Sequence, residues 1–114
     1  IEVTIDEQGV FKVTMNESLA VALLTNLLKN AFVHNIDGGH IRITVTKNGI
    51  TFRNSGVEHP LNKEHIFERF YQGSKKEGST GLGLAIADSI CRLQHLNIKY
   101  YFEQNEHCFE ISQS

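Results

Sequence analysis

The sequence predicts an α+β fold: a two-layer α/β sandwich with helices on one face of a mostly antiparallel, mixed sheet. Short segments of alternating apolar and polar residues indicate strands, and two longer segments repeat their apolar residues with helical spacing. Their order is strand, strand, helix, strand, strand, short helix, loop, helix, strand, strand. With 114 residues, 40% of them hydrophobic, the chain suits a single domain over residues 1–114. Because it begins at Ile1, not at methionine, we expect a fragment of a longer protein.

The N-terminal segment, residues 1–15, predicts two strands joined by a turn at residues 6–9. Apolar residues alternate with polar ones on both sides of that turn: Ile1, Val3, Ile5, Phe11, Val13 and Met15. Residues 16–35 then predict a helix, because apolar residues recur at i, i+4 and i+8. The stripe consists of Leu23, Leu24, Leu27, Leu28 and Ala31. Asn16 or Ser18 can cap the start of this helix.

Residues 40–54 predict a hairpin with its tight turn at Asn48 and Gly49. Residues 61–70 predict a short helix, and the segment after them lacks periodicity and predicts a loop. A second long helix follows, with a predicted buried stripe of Leu82, Ile86, Ile90 and Leu93. The chain closes with a hairpin whose turn is predicted at residues 104–106.

Composition excludes several classes of function. A formal net charge of −2 offers no broad basic surface for nucleic acid, and the apolar runs are too short to span a membrane. The two cysteines form no metal or redox motif and are expected to be free thiols. Four histidines show neither nucleophile nor metal spacing and are expected on the surface: His40, His59, His65 and His107.

The start of the second long helix has the composition of a phosphate site. Gly81 and Gly83 occupy its opening turn, although glycine costs up to about 1 kcal/mol relative to alanine inside a helix. The first N–H groups of a helix have no partner within it and, with the helix dipole, attract an anion. Bare glycines let that anion approach, and Ser79 and Thr80 add hydroxyls. The alternative is ordinary turn chemistry at a helix start.

A polar row lies beside the leucine stripe of the first helix. Asn26, Asn30 and His34 are spaced by four residues, so they share one ridge. The row is either a solvent edge or a ligand site, and an asparagine carbonyl is an oxygen ligand suited to Mg²⁺.

Four segments, NLLKNAFVHN, FRNSG, IFERFYQ and GSTGLGLAI, resemble in order and spacing the N, G1, F and G2 boxes of sensor histidine kinase ATP-binding domains. These domains share the Bergerat-type ATP site with gyrase and the mismatch-repair ATPases. The resemblance implies a Bergerat fold that binds ATP and Mg²⁺. In that fold ATP lies between the two long helices, under a lid formed here by residues 71–80.

The resemblance also implies roles for individual residues. Asn30 matches the asparagine that holds Mg²⁺. Asn26 stands where the hydrolysing relatives carry a glutamate base, which favours a kinase over an ATPase, since an amide cannot take up a proton near neutral pH. Asn54 stands where an aspartate accepts a hydrogen bond from the adenine amino group, and its amide can also donate, which softens base discrimination. Gly56 matches the first glycine of the G1 box.

The F box, at Phe67, Phe70 and Tyr71, implies an anchor for the lid, or simple core packing. Departures from the family pattern are Val33, His34, Glu58 and Gln72. Positive charge for the phosphates is therefore assigned to Arg69, Lys75, Lys76 or a protonated His34, and we expect modest ATP affinity. The residues assigned to ATP are Asn26, Asn30, His34, Asn54, Gly56, Arg69, Tyr71, Lys75, Lys76, Ser79, Thr80, Gly81, Leu82 and Gly83; Asn30 is also assigned to the metal.

The resemblance implies the catalytic domain of a two-component sensor histidine kinase, which donates the γ-phosphate of ATP to a histidine. That histidine is expected on the protein's own N-terminal dimerisation and phosphoacceptor domain, with a response regulator as an indirect partner. The fragment is expected to be a monomer, and the full-length protein a homodimer anchored in the inner membrane with this domain in the cytoplasm. The alternatives are a serine kinase of the anti-sigma-factor type and a degenerate, non-catalytic nucleotide-binding or scaffold module.

Overall fold

The alternating segments of the sequence become strands of one sheet in the computed structural model, which describes residues 1–69 and 82–113. The elements are β1 (Glu2–Glu7), α1 (Glu17–Val33), β2 (His40–Thr46), β3 (Gly49–Asn54), α2 (Gly83–Leu93), β4 (Leu96–Glu103) and β5 (Glu106–Gln113). The five-stranded sheet has the order β1-β2-β3-β5-β4. β1 runs parallel to β2 and all other neighbours are antiparallel, as the prediction of a mostly antiparallel, mixed sheet requires.

The two faces of the sheet differ in chemistry because successive residues of a strand point to opposite sides. Ile41, Phe52 and Phe109 share the face that packs under the helices, and all three are buried. Their sequence neighbours Arg42 and Arg53 lie on the open face. The hydrophobic core lies between the face that carries Phe52 and Phe109 and the two helices α1 and α2. The two-layer α+β architecture is therefore confirmed.

Helix α1 begins where the sequence predicts. The side chain of Asn16 accepts a hydrogen bond of 2.7 Å from the backbone nitrogen of Ser18, and this cap satisfies one of the free first-turn donors. Leu23 and Leu27 are buried in the core, but the prediction was wrong for Leu24, which is 41% exposed. Each residue of a helix is rotated by about 100° from the one before, and this rotation turns Leu24 away from the sheet.

Helix α2 buries a different stripe from the predicted one. The prediction was wrong for Ile86 and Leu93, which are 42% and 65% exposed. The buried residues are Ala85, Ala87, Ile90 and Cys91. Because small side chains allow close approach, the core side of α2 is largely its alanine and cysteine face, and the larger Ile86 is left outside.

The predicted N-terminal hairpin is wrong in its second half. β1 forms, but it pairs in parallel with β2, and residues 10–16 are not in a strand. Phe11 and Met15 instead pack their half-buried side chains against the core. The side chain of Gln113 donates 3.0 Å to the carbonyl of Lys12, which places this connection next to the end of β5.

Two predicted hairpins are confirmed, with small shifts of their turns. Thr46 pairs with Gly49, so the turn residues are Lys47 and Asn48, one position earlier than predicted. Between β4 and β5 the turn residues are Gln104 and Asn105, with φ angles of 51° and 63°. Two positive φ angles match the right-handed twist of a two-residue hairpin.

Residues 61–69 form turns and not the predicted helix. The backbone nitrogen of His65 donates 3.1 Å to the carbonyl of Asn62, and that of Glu68 donates 2.9 Å to His65. The Asn62 side chain also accepts from the nitrogen of Glu64, a local bond that competes with helix formation. The predicted loop at residues 71–80 lies outside the described residues.

The corrected stripe of α1 can be tested with two leucines. Leu27→Ala removes a side chain that is 1% exposed and is expected to lower the free energy of unfolding by about 2–5 kcal/mol. Leu24→Ala is the matched control and is expected to lower the free energy of unfolding by much less, because its side chain is already in contact with water. Urea unfolding followed by circular dichroism measures both, and equal losses would contradict this packing.

Candidate functional site

The polar row on α1 exists as predicted. Asn26, Asn30 and His34 occupy successive turns, and all three are half-buried. A rise of 1.5 Å per residue separates the first from the last by about 12 Å. The row therefore runs along a partly covered stretch of α1, which is compatible with a ligand site.

One end of the row meets the start of α2. A Cβ added at Gly83 would lie 3.2 Å from Oδ1 of Asn26, so the two helices touch at this glycine. The Asn26 side chain donates 2.7 Å to the carbonyl of Ala22. In the described part of the chain, Leu82 at the N-cap of α2 makes no side-chain capping bond, and the first turn carries no acidic residue. This end therefore combines the positive end of a helix dipole with a neutral amide.

The other end of the row meets the segment after β3. A Cβ added at Gly56 would lie 2.9 Å from the carbonyl oxygen of His34 and 3.1 Å from Cδ2 of His107. Gly56 is thus enclosed between the end of α1 and β5, and a side chain at this position would displace one of them. Asn54 precedes it at the last position of β3 and is 2% exposed.

Asn54 holds a buried acceptor without a partner. Its Nδ2 donates 2.8 Å to the carbonyl of Ser55, which orients the amide. Its Oδ1 has no hydrogen-bond partner among the described residues. Leaving a buried acceptor unsatisfied costs about 1–3 kcal/mol, so the atom points to a missing N–H donor, such as one from a ligand.

A buried polar junction that sequence reasoning missed lies behind this end. Nδ2 of Asn35 donates to the carbonyls of Ala31 (3.1 Å) and His40 (2.9 Å), and its Oδ1 accepts from the nitrogen of Ile36 (2.8 Å). Ser55 Oγ donates 2.5 Å to the same Oδ1 and accepts 2.8 Å from the nitrogen of His40. The sequence signal was an asparagine directly after a helix, a residue type that bonds to nearby backbone.

His107 was also missed, and its predicted surface position was wrong. The residue is 4% exposed, with Nδ1 at 2.7 Å from the hydroxyl of Tyr100 and Nε2 at 2.7 Å from the carbonyl of Val57. The Tyr100 hydroxyl accepts 2.9 Å from the nitrogen of Leu61. Burial lowers the pKa of His107; the bond to Val57 opposes this shift and the charge of His59 adds to it. The ring is therefore neutral at pH 7.

The remaining predictions have mixed outcomes. His40, His59 and His65 are exposed, as expected, and Arg69 is exposed at the end of the described turns. Both cysteines are buried, and burial raises the pKa of each thiol to about 11. Six residues assigned to ATP lie outside the described residues: Tyr71, Lys75, Lys76, Ser79, Thr80 and Gly81. Across the described ranges, no group of three or more His, Cys, Asp and Glu side chains is arranged to hold a metal ion.

A concave surface lies on the open face of the sheet. It has a volume of about 520 Å³ and contains none of the residues assigned from the sequence. Its lining alternates in charge, with Arg42 and Arg53 beside Glu110 and Asp6, which is typical of a solvated sheet face.

A comparison with protein families matches residues 15–112 to the model described as histidine kinase-, DNA gyrase B- and HSP90-like ATPase. The sensor histidine kinase RppB of Synechocystis is 44% identical over 84 residues, which cover 66% of this chain and 18% of the relative. The heme sensor protein HssS of Staphylococcus aureus is 40% identical over 90 residues, which cover 75% of this chain and 20% of the relative. The chain thus spans about a fifth of the length of these curated relatives.

Solved structures agree with this family. The catalytic domain of the histidine kinase ThkA has a TM-score of 0.83 at 25% identity, covering 96% of this chain and 76% of that one. Full-length ShkA in complex with AMPPNP has a TM-score of 0.65 at 20% identity over 99% of this chain and 26% of its own, a likeness of fold alone. Within the described ranges, neither helix is long and apolar enough to cross a membrane.

The buried, neutral state of His107 predicts a pH dependence of stability. Its pKa in the folded chain lies below the ordinary value of 6.5, so on acidification the unfolded chain takes up the proton first. The free energy of unfolding is therefore expected to fall as the pH drops below 6.5, down to the folded pKa.

Urea unfolding between pH 7.5 and 5 measures this effect in the wild type and in His107→Gln, which cannot titrate. The difference between the two isolates His107, because the exposed His65, whose pKa is raised by its hydrogen bond to Glu68, is common to both. An identical pH dependence in both proteins would contradict a neutral, buried His107.

Proposed function

This chain belongs to the family of histidine kinase-, DNA gyrase B- and HSP90-like ATPases, and on that premise we propose that it binds Mg·ATP and donates the γ-phosphate to a histidine. The observation that carries the proposal is the buried Oδ1 of Asn54 at the end of the polar row, for which residues 1–69 and 82–113 supply no hydrogen-bond partner. A domain with only a structural role would gain stability by losing that atom, because it has no partner to satisfy it.

The Asn54 end of the row is proposed to take the base. The exocyclic amino group of adenine is a donor that would satisfy Oδ1, whereas guanine carries a carbonyl acceptor at the equivalent position. Because Nδ2 is already bonded to the carbonyl of Ser55, the amide is oriented to accept. This orientation favours adenine over guanine, although the sequence alone predicted softer discrimination.

The other end of the row is proposed to take the phosphates. The start of α2, at Gly83, carries first-turn N–H groups that attract anions. Asn30, between the two ends, would hold Mg²⁺, which supplies positive charge to the phosphates. Asn26 has no proton-accepting carboxylate, so a water molecule at this position lacks a general base and transfer is favoured over hydrolysis.

Phosphoryl transfer requires mainly positioning and charge stabilisation, which a site without its own nucleophile can provide. The bond from the γ-phosphorus to the bridging oxygen breaks, ADP leaves with the electron pair, and an imidazole nitrogen forms the new P–N bond and loses a proton to solvent. The aligned residues make up only 18% and 20% of the relatives named above, which are therefore about four times as long as this chain. We place the acceptor histidine on a separate dimerisation domain of such a longer, membrane-anchored homodimer, with a response regulator downstream.

The metal role of Asn30 is tested by calorimetric titration of the chain with a non-hydrolysable ATP analogue, with and without Mg²⁺. Removing Mg²⁺ is expected to weaken binding by about tenfold, which corresponds to about 1.4 kcal/mol. In the absence of Mg²⁺, Asn30→Ala is expected to bind the analogue with the same affinity as the wild type. Adding Mg²⁺ is expected to leave the affinity of the variant unchanged. Asn97→Ala, on an exposed position of β4, is the control and is expected to behave like the wild type. Wild-type affinity that ignores Mg²⁺ would contradict the assignment.

The base role of Asn54 is tested with Asn54→Leu, which keeps the branched shape of the side chain and removes both the carbonyl and the amide nitrogen. The ATP analogue is expected to bind about tenfold more weakly, and the preference over the GTP analogue to disappear. The free energy of unfolding is expected to change little, because the loss of a buried acceptor that no described residue satisfies offsets the loss of the Nδ2 bond to the Ser55 carbonyl. Absence of binding by the wild type up to millimolar nucleotide would replace this proposal with the degenerate-module alternative.

A further inference from the structure

The segment after β3 is held to the sheet by two side chains of the C-terminal hairpin. Nε2 of His107 lies 2.7 Å from the carbonyl of Val57, and the Tyr100 hydroxyl lies 2.9 Å from the nitrogen of Leu61. The two side chains are joined by the bond of 2.7 Å between the hydroxyl and Nδ1. We call this group of Tyr100, His107, Val57 and Leu61 the loop clamp.

The direction of every hydrogen bond in the loop clamp follows from its ends. The carbonyl of Val57 can only accept, so Nε2 of His107 carries the proton. In a neutral ring Nδ1 then accepts, and its donor is the Tyr100 hydroxyl. The hydroxyl oxygen in turn accepts from the backbone N–H of Leu61, so one tautomer of His107 satisfies all four groups.

The loop clamp touches the proposed base end of the site directly. His107 is the partner of Asn54 in the pairing of β3 with β5, and the two side chains project to the same face of the sheet. Its ring would be 3.1 Å from a Cβ at Gly56. The ring of His107 therefore lies directly beside the backbone that carries Asn54 and Gly56.

We propose that His107 is a positioning residue of the nucleotide site: in its neutral form, together with Tyr100, it holds residues 55–61 so that Oδ1 of Asn54 meets the base. The inference rests on the proposed function and deepens it, because it makes nucleotide affinity depend on the protonation of a residue that does not itself contact the nucleotide. Protonation of Nδ1 would remove the acceptor of the Tyr100 hydroxyl.

Among the described residues, few other charged groups act on His107. The loop contributes His59, whose charge disfavours a second proton nearby, and β4 contributes the Tyr100 hydroxyl and the apolar ring of Phe102. The neighbouring Glu106 is engaged with His40 and Arg42 on the open face. Burial therefore dominates, and the loss of affinity on acidification is expected below pH 6.5.

The first test is Tyr100→Phe, which keeps the ring and removes the hydroxyl from the loop clamp. Hydrogen exchange of the Leu61 amide in the nucleotide-free chain is expected to accelerate, and the ATP analogue to bind about tenfold more weakly at pH 7.5. Tyr101→Phe is the matched control: the next residue on the same strand bonds to Glu110 on the open face and is expected to leave both measurements unchanged.

The second test measures the affinity for the ATP analogue as a function of pH in the wild type and in His107→Gln. At each pH the wild-type affinity is divided by that of the variant, so that the ionisation of the phosphates, which affects both proteins equally, cancels. The wild type is expected to bind more tightly than His107→Gln at pH 7.5 and to lose this difference in affinity below pH 6.5. The nitrogen chemical shifts of the His107 ring are expected to show a proton on Nε2 alone at pH 7.5. A ratio that does not change with pH, or a proton on Nδ1, would overturn the inference.

The outcomes separate this inference from the function on which it rests. A wild type that binds nucleotide while Tyr100→Phe binds equally well, despite faster exchange of Leu61, overturns the positioning role alone. A wild type that binds no nucleotide at any pH overturns the proposed function and the positioning role with it.

Discussion

The buried side chain of Asn35 is the constraint on which the candidate site depends. Its amide bonds to the last turn of α1, to the start of β2 and to Ser55 after β3. The end of α1, the start of β2 and the segment after β3 are therefore held within hydrogen-bond distance of one side chain. This junction fixes where the polar row on α1 ends relative to Asn54. Without this junction, the two ends of the proposed nucleotide site would not be held in a fixed position relative to each other.

Neutral amides lie at both ends of the proposed nucleotide site. The family resemblance assigns Asn26 to the position of a catalytic glutamate in hydrolysing relatives, and Asn54 to that of a base-binding aspartate. An amide recognises a donor without charge, so each contact is weaker than its ionised counterpart. A site of this kind relies on position more than on charge. The close packing next to Asn54, where Gly56 is enclosed between His34 and His107, is consistent with a site that depends on the position of its groups.

Much of the architecture could be predicted, since periodicity records which side of an element is buried. The hairpins and the Asn16 cap follow from short-range patterns that act within a few residues. The strand predicted at residues 10–15 did not form, because its alternation reflects side chains that pack under the core, not a paired backbone. Among the candidate site residues, the row on α1 was predicted by spacing alone. His107 could not be, because nothing local marks a histidine whose two partners, Tyr100 and Val57, belong to other segments.

The sequence by itself determined the two long helices, the two later hairpins, the sheet with helices on one face, and the family to which the chain belongs. These depend on periodicity and on motifs that residue types and spacing express directly. Only the tertiary structure decided that β1 pairs in parallel with β2, that α2 buries its small residues, and that Oδ1 of Asn54 finds no partner in the part of the chain that the structure describes. Each of these depends on atoms brought together from distant parts of the chain, and burial and hydrogen-bond satisfaction are properties of that assembly.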